Sequence, residues 1–75
     1  SKGGVVKEAS YHVEAIESII KFANSKNFII NGLIASPLVG PAGNHEYLIW
    51  LSNKIIVEYS ISRDKIEELV SKTIS

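Results

Sequence analysis

Hydrophobic and polar positions change their period several times along this chain, and each change marks an element. Val13, Ile16, Ile20 and Ala23 recur at i, i+3, i+7 and i+10, with Ile19 beside them, while Glu14, Glu17, Ser18 and Lys21 take the other side. That spacing predicts an amphipathic helix from Ser10 to about Lys26. Ser10 is its best N-cap, with Glu8 a less favoured alternative, and Asn24 to Asn27 supplies the stop. Glu17 and Lys21 stand at i, i+4 in the favourable order for an ion pair. Ahead of the helix, Ser1 to Glu8 reads as a lead-in loop, because Gly3-Gly4 interrupts local structure and Val5-Val6 is only a brief extended step.

Phe28 to Ala35 reads as a strand in which Gly32 marks either a bulge or a close backbone approach. Ser36 to His45 is a loop punctuated by Pro37, Gly40, Pro41 and Gly43-Asn44, long for a plain hairpin. Glu46 to Ser52 carries the unbroken apolar run Tyr47-Leu48-Ile49-Trp50-Leu51. A half-exposed strand alternates; this one asks to be covered on both faces. Asn53-Lys54 is a turn signal, and Ile55 to Tyr59 reads as a further short strand. Ser62 caps a last helix with Asp64 in its first turn, an inner stripe of Ile66, Leu69 and Val70, and Glu67, Glu68 and Lys72 outside. The expected class is α/β, with the two principal strands antiparallel. A sheet this narrow cannot cover its own central run, so residues 1–75 are expected to form one partial domain of a larger protein.

Composition sharpens this. The 75 residues hold no cysteine and no methionine, which excludes a disulfide framework and any thiolate metal site and fits a reducing cytoplasm. A 45% hydrophobic share is too high for a disordered chain, and a mean hydropathy of +0.14 is too low for a membrane span. The chain opens on Ser rather than Met, with no signal peptide expected. Eight basic and eight acidic side chains cancel, so nucleic-acid binding would need a local patch or a part outside this stretch. A domain of this size buries only about 60% of the surface its unfolded chain exposes. Without a staple, it needs an oligomer or further residues to complete its core.

Few residues can carry chemistry. His12 and His45 have no metal-ligand spacing, and no nucleophile elbow is present. Gly3-Gly4 and Gly40-x2-Gly43 do not follow a strand and open a helix, so neither makes a phosphate cradle, and no cofactor fingerprint lies in the chain. Lys2 and Lys7 flank Gly3 and Gly4 and could touch a phosphate backbone; Lys21, Lys26 and Lys54 are scattered. Trp50 and the tyrosines sit in apolar runs that favour core packing over base stacking. Glu46 is the carboxylate to weigh, because it opens a wholly apolar strand, where open α/β sheets present side chains to a crevice.

The stretch Lys2-Gly3-Gly4-Val5-Val6-Lys7 with His12, then Gly32-Leu33, Ser36-Pro37-Leu38 and Gly40-Pro41-x-Gly43-Asn44-x-Glu46-Tyr47-Leu48, resembles one bacterial family. It is similar to the C-terminal end of the hemolysin-A-like (TlyA) RNA methyltransferases, whose catalytic domain is of the FtsJ type. The likeness runs over roughly Lys2 to Ser52, and residues 52–75 match only loosely, as a C-terminal extension. It implies the C-terminal fragment of a Rossmann-like methyltransferase sheet, with a helix, an antiparallel strand pair and a C-terminal helix. It also implies S-adenosylmethionine as methyl donor and a ribosomal RNA ribose 2′-hydroxyl as acceptor. The family's lysine–aspartate–lysine–glutamate catalytic set would end on Glu46, with its other members, the cofactor loop and an RNA-binding S4 domain all ahead of Ser1. Family members often read Arg-Asp-Pro where this chain has Lys7-Glu8-Ala9, so the proline and the better cap at that helix start are lost.

A carboxylate there suits the chemistry. Methyl transfer needs the ribose oxygen in line with the sulfonium methyl and a lysine to take its proton. Glu46 is therefore expected to position a lysine or the ribose hydroxyl rather than act as the base. The expected protein is a cytoplasmic rRNA 2′-O-methyltransferase, inactive as this isolated stretch. The alternative is a small non-catalytic α/β module for interaction or dimerisation. A membrane-acting, hemolytic role finds little support in short helices with mixed-charge faces. An isolated chain is expected to hide its bare strand edge against another copy.

Overall fold

A computed structural model describes residues 2–38 and 45–74. In chain order it contains α1 (Lys2–Ser25), β1 (Ile29–Ala35), β2 (Tyr47–Ser52) and α2 (Arg63–Ile74). The two strands pair antiparallel, as the sequence pattern predicts, and the helices pack over one face of the ladder. The core between them is Val13, Ile16, Ile20 and Ala23 of α1, Ile30 and Leu33 of β1, and Ile66 and Val70 of α2. Each helical member stands on the stripe that its periodicity assigns.

Of the lead-in loop expected over Ser1 to Glu8, the residues from Lys2 to Glu8 are instead the beginning of α1. Once a turn is nucleated each further residue adds a hydrogen bond, and glycine costs only about 1 kcal/mol, so no proline means no stop. Ser10 is thus inside the helix and caps nothing. Ile19 also departs from expectation: it is exposed, on a second apolar stripe with Tyr11, Ala15 and Phe22. Glu17, expected beside Lys21, meets Arg63 of α2 instead, and Arg63 also reaches Glu67 at 3.1 Å. Tertiary packing brings the guanidinium closer than the local lysine.

The stop of α1 is built as a two-bond cap. Asn27 turns left-handed at φ 67°, Phe28 N–H donates to Ala23 O at 2.9 Å and Asn27 N–H donates to Asn24 O at 3.0 Å. Phe28, placed in the strand by its β propensity, belongs to this cap because its amide is committed backwards. The strand starts one residue later.

The ladder pairs Ile29 with Ser52, Ile30 with Leu51, Gly32 with Trp50, Leu33 with Ile49, Ile34 with Leu48 and Ala35 with Tyr47. Asn31 is the extra residue of a bulge between Ile30 and Gly32. The bulge, rather than a close backbone approach, accounts for the irregularity at Gly32. A Cβ there would meet the Trp50 ring at an ordinary 3.8 Å. The extra residue shifts the alternation so that Ile30 and Leu33 both face the helices, opposite Leu51 and Ile49. Asn31 is 3% exposed, and its amide donates to Ser52 Oγ at 2.6 Å and accepts from Ile56 N–H at 3.3 Å. Here lies the reason that Ile55 to Tyr59 is not a strand: the Ile56 amide is spent on a side chain, and the segment runs irregular and exposed.

The other face of the ladder is bare. Ile34, Leu48 and Trp50 are 56%, 53% and 47% exposed, so the apolar run of β2 is covered on one side only. Trp50, expected in a core, stands on this open face, and Tyr11 and Tyr59 are exposed too. The final helix follows expectation. Lys65 N–H donates to Ser62 Oγ at 3.3 Å, Ile66 and Val70 are buried, and Glu68 pairs with Lys72 at 2.9 Å on the outside.

The cap makes a stability prediction. Asn27→Val should lower unfolding free energy by about 1 kcal/mol or more, because a β-branched residue resists the left-handed region, whereas Asn27→Gly should be neutral or slightly stabilising. Urea unfolding followed by circular dichroism reads both.

Candidate functional site

The start of β2 is where the chain's polar chemistry gathers. Glu46 stands just before the strand; its carbonyl accepts from Ser36 N–H at 2.8 Å, at the loop end of the hairpin. Its side chain is exposed and does not line the cleft between α1 and α2. Strand alternation directs position 46 to the side that carries Leu48 and Trp50. The carboxylate therefore lies at the rim of the bare apolar face.

Its neighbour Tyr47 turns the opposite way, against the helices. The Tyr47 hydroxyl lies 2.9 Å from His12 Nδ1 of α1, and the two rings meet edge to face at 86° with centroids 5.6 Å apart. His12 Nε2 faces the Glu8 carboxylate one helical turn back, at 3.8 Å. An imidazole proton directed at Glu8 leaves the Nδ1 lone pair to accept the tyrosine O–H. Burial raises the Tyr47 pKa above the usual phenol value, a hydrogen bond with Thr73 lowers it in part, and the Glu8 charge adds to the rise. Tyr47 is thus a neutral hydroxyl donor at neutral pH rather than a base.

The other candidates are spread apart. Lys2, Gly3, Gly4 and Lys7, the RNA-contact candidates, fall in the first turns of α1 rather than on a loop. The glycines expected in the long loop, Gly40 and Gly43, lie outside the described residues. His45 is half-buried beside Glu46, and no group of three His, Cys, Asp or Glu able to hold a metal occurs among the described residues. A cleft of about 570 Å³ runs between α1 and the start of α2, lined by Glu14, Glu17, Lys21, Asn24, Ser62 and Arg63. Among the described residues no helix is long and apolar enough to cross a membrane. The His12–Tyr47 pair was not foreseen, since its partners are 35 residues apart and no local period links them.

Comparison with known proteins gives this arrangement a context. No family model matches the chain. It is 32% identical over 73 residues to the 16S/23S rRNA (cytidine-2′-O)-methyltransferase TlyA of Mycobacterium tuberculosis, a match covering 97% of this chain and 26% of that protein. It is 34% identical over 50 residues to the Bacillus subtilis protein named "Putative rRNA methyltransferase YqxC", covering 67% of this chain and 18% of that one. The chain thus spans about a quarter of the length of the TlyA relative, and it is similar to part of an rRNA methyltransferase.

Tyr47 supplies a pH test. Its folded pKa is raised, so the native state keeps a proton that the unfolded chain releases. That contribution is complete below about pH 10 and is lost as pH climbs through the folded value. Thermal midpoints should fall on raising the pH past about 10, and Tyr47→Phe should remove part of that fall.

Proposed function

We propose that this chain is the C-terminal part of an S-adenosylmethionine-dependent rRNA 2′-O-methyltransferase with an FtsJ-type, Rossmann-like catalytic domain, working in the cytoplasm. The observation that carries it is the likeness to TlyA along 97% of the chain. The bare face of the ladder supports it independently. Among the described residues Ile34, Leu48 and Trp50 stay about half exposed and the sheet has two strands, which is what a piece of a wider, sandwiched sheet would show.

Within that enzyme Glu46 orients the lysine that takes the ribose proton, or the hydroxyl itself. Its place at the start of an apolar strand, with its backbone pinned to Ser36, suits a fixed carboxylate. The remaining catalytic groups and the methyl-donor site lie in the larger protein, and Lys2 and Lys7 lend weak contacts to RNA phosphates. An isolated chain of this length is inactive and pairs its bare strand edge with a second copy.

In the full-length protein Glu46→Ala should lower methyl-transfer turnover about 100-fold, with methyl-donor affinity unchanged, in a tritium-incorporation assay on ribosomal RNA. Parent-level turnover would remove Glu46 from the mechanism. Calorimetric titration of S-adenosylmethionine into the 75-residue chain should show no binding. Micromolar affinity there would overturn the placement of the donor site elsewhere.

A further inference from the structure

We infer that His12 is a positioning residue for Glu46, acting through Tyr47; the inference rests on the role proposed above for Glu46. The geometry points to it in three ways. α1 packs chiefly on α2 and β1, so the beginning of β2 depends on other ties to the helix layer. One such tie is the 2.9 Å bond between His12 Nδ1 and the Tyr47 hydroxyl, at the residue that follows Glu46, beside a hydrogen bond between Tyr47 and Thr73 of α2. The edge-to-face ring contact at 86° fixes the tilt of the phenol as well as its distance.

Strand geometry converts that hold into a hold on the carboxylate. Adjacent side chains leave a strand on opposite faces, so locking the Tyr47 ring toward the helices sets the backbone from which Glu46 projects outward. The Ser36 bond at the Glu46 carbonyl fixes the same peptide from the β1 side. Glu46 is then clamped between a backbone bond and a side-chain bond, while its own carboxylate stays open to solvent and substrate. Glu8, 3.8 Å from Nε2, favours the tautomer in which Nδ1 accepts. A reacting group must be held to a fraction of an ångström, and supporting hydrogen bonds of this kind do the holding.

The test uses the full-length protein and rRNA methylation. Tyr47→Phe, which keeps the ring and its packing, and His12→Leu should each lower kcat about fivefold, the scale of one neutral hydrogen bond, with KM for the methyl donor little changed. His12→Asn, whose Oδ1 falls near the place of Nδ1, should restore most of the rate. In a Glu46→Gln background neither Tyr47→Phe nor His12→Leu should cause further loss, because the group they position is already disabled. Equal losses in both backgrounds would show a merely structural bond and overturn the positioning, as would parent-level kcat in Tyr47→Phe. Parent-level kcat in Glu46→Gln itself would instead overturn the role of Glu46, and the positioning with it.

Discussion

The structure depends on a one-sided burial. Two helices press on a single face of a two-stranded ladder, and everything well buried lies in that one layer. Val70 is fully enclosed and Ala23 and Ile66 nearly so, whereas the reverse of the ladder carries Ile34, Leu48 and Trp50 in the open. Apolar area left in water forgoes about 25 cal/mol of folding free energy for each Å². A chain that stops at one layer therefore keeps a large unused driving force, and that force is what would recruit more sheet, or another copy.

The bulge at Asn31 is what makes the one layer possible. Without an extra residue, Ile30 and Leu33 would lie on opposite faces and one of them would be lost to the core. The cost is a buried amide, and it is met locally: Ser52 and the Ile56 amide satisfy both ends of the side chain. The same two bonds tie the turn after β2 to the middle of β1. That is why the segment leading to α2 needs no strand of its own.

Polar groups at the helix–sheet contact are arranged to the same logic. The Tyr47 hydroxyl is carried into a partly buried place and finds an imidazole there, so burial costs no unpaired donor. Glu46, one residue earlier, goes to the opposite side and remains wet. One strand start thus presents a packed phenol inward and an exposed carboxylate outward.

Much of this was legible from order alone. The stripe Val13, Ile16, Ile20, Ala23 and the stripe Ile66, Leu69, Val70 were readable because helical period and burial are the same fact seen twice. The stop at Asn27 and the cap at Ser62 were readable because both act over four or five residues. The start of α1 was not, since glycines weaken a helix without forbidding it and only the energy of the whole decides. Nor could order show that Ile56 would give its amide to Asn31, that Glu17 would prefer Arg63 to Lys21, or that Tyr47 would reach His12. Those choices join residues far apart in the chain, and distance along a sequence carries no information about which distant donor will arrive first. What the sequence determined by itself was the two helices with their inward stripes and the antiparallel strand pair; the tertiary structure alone decided where α1 begins, which face of the ladder is covered and which polar groups meet across the layers.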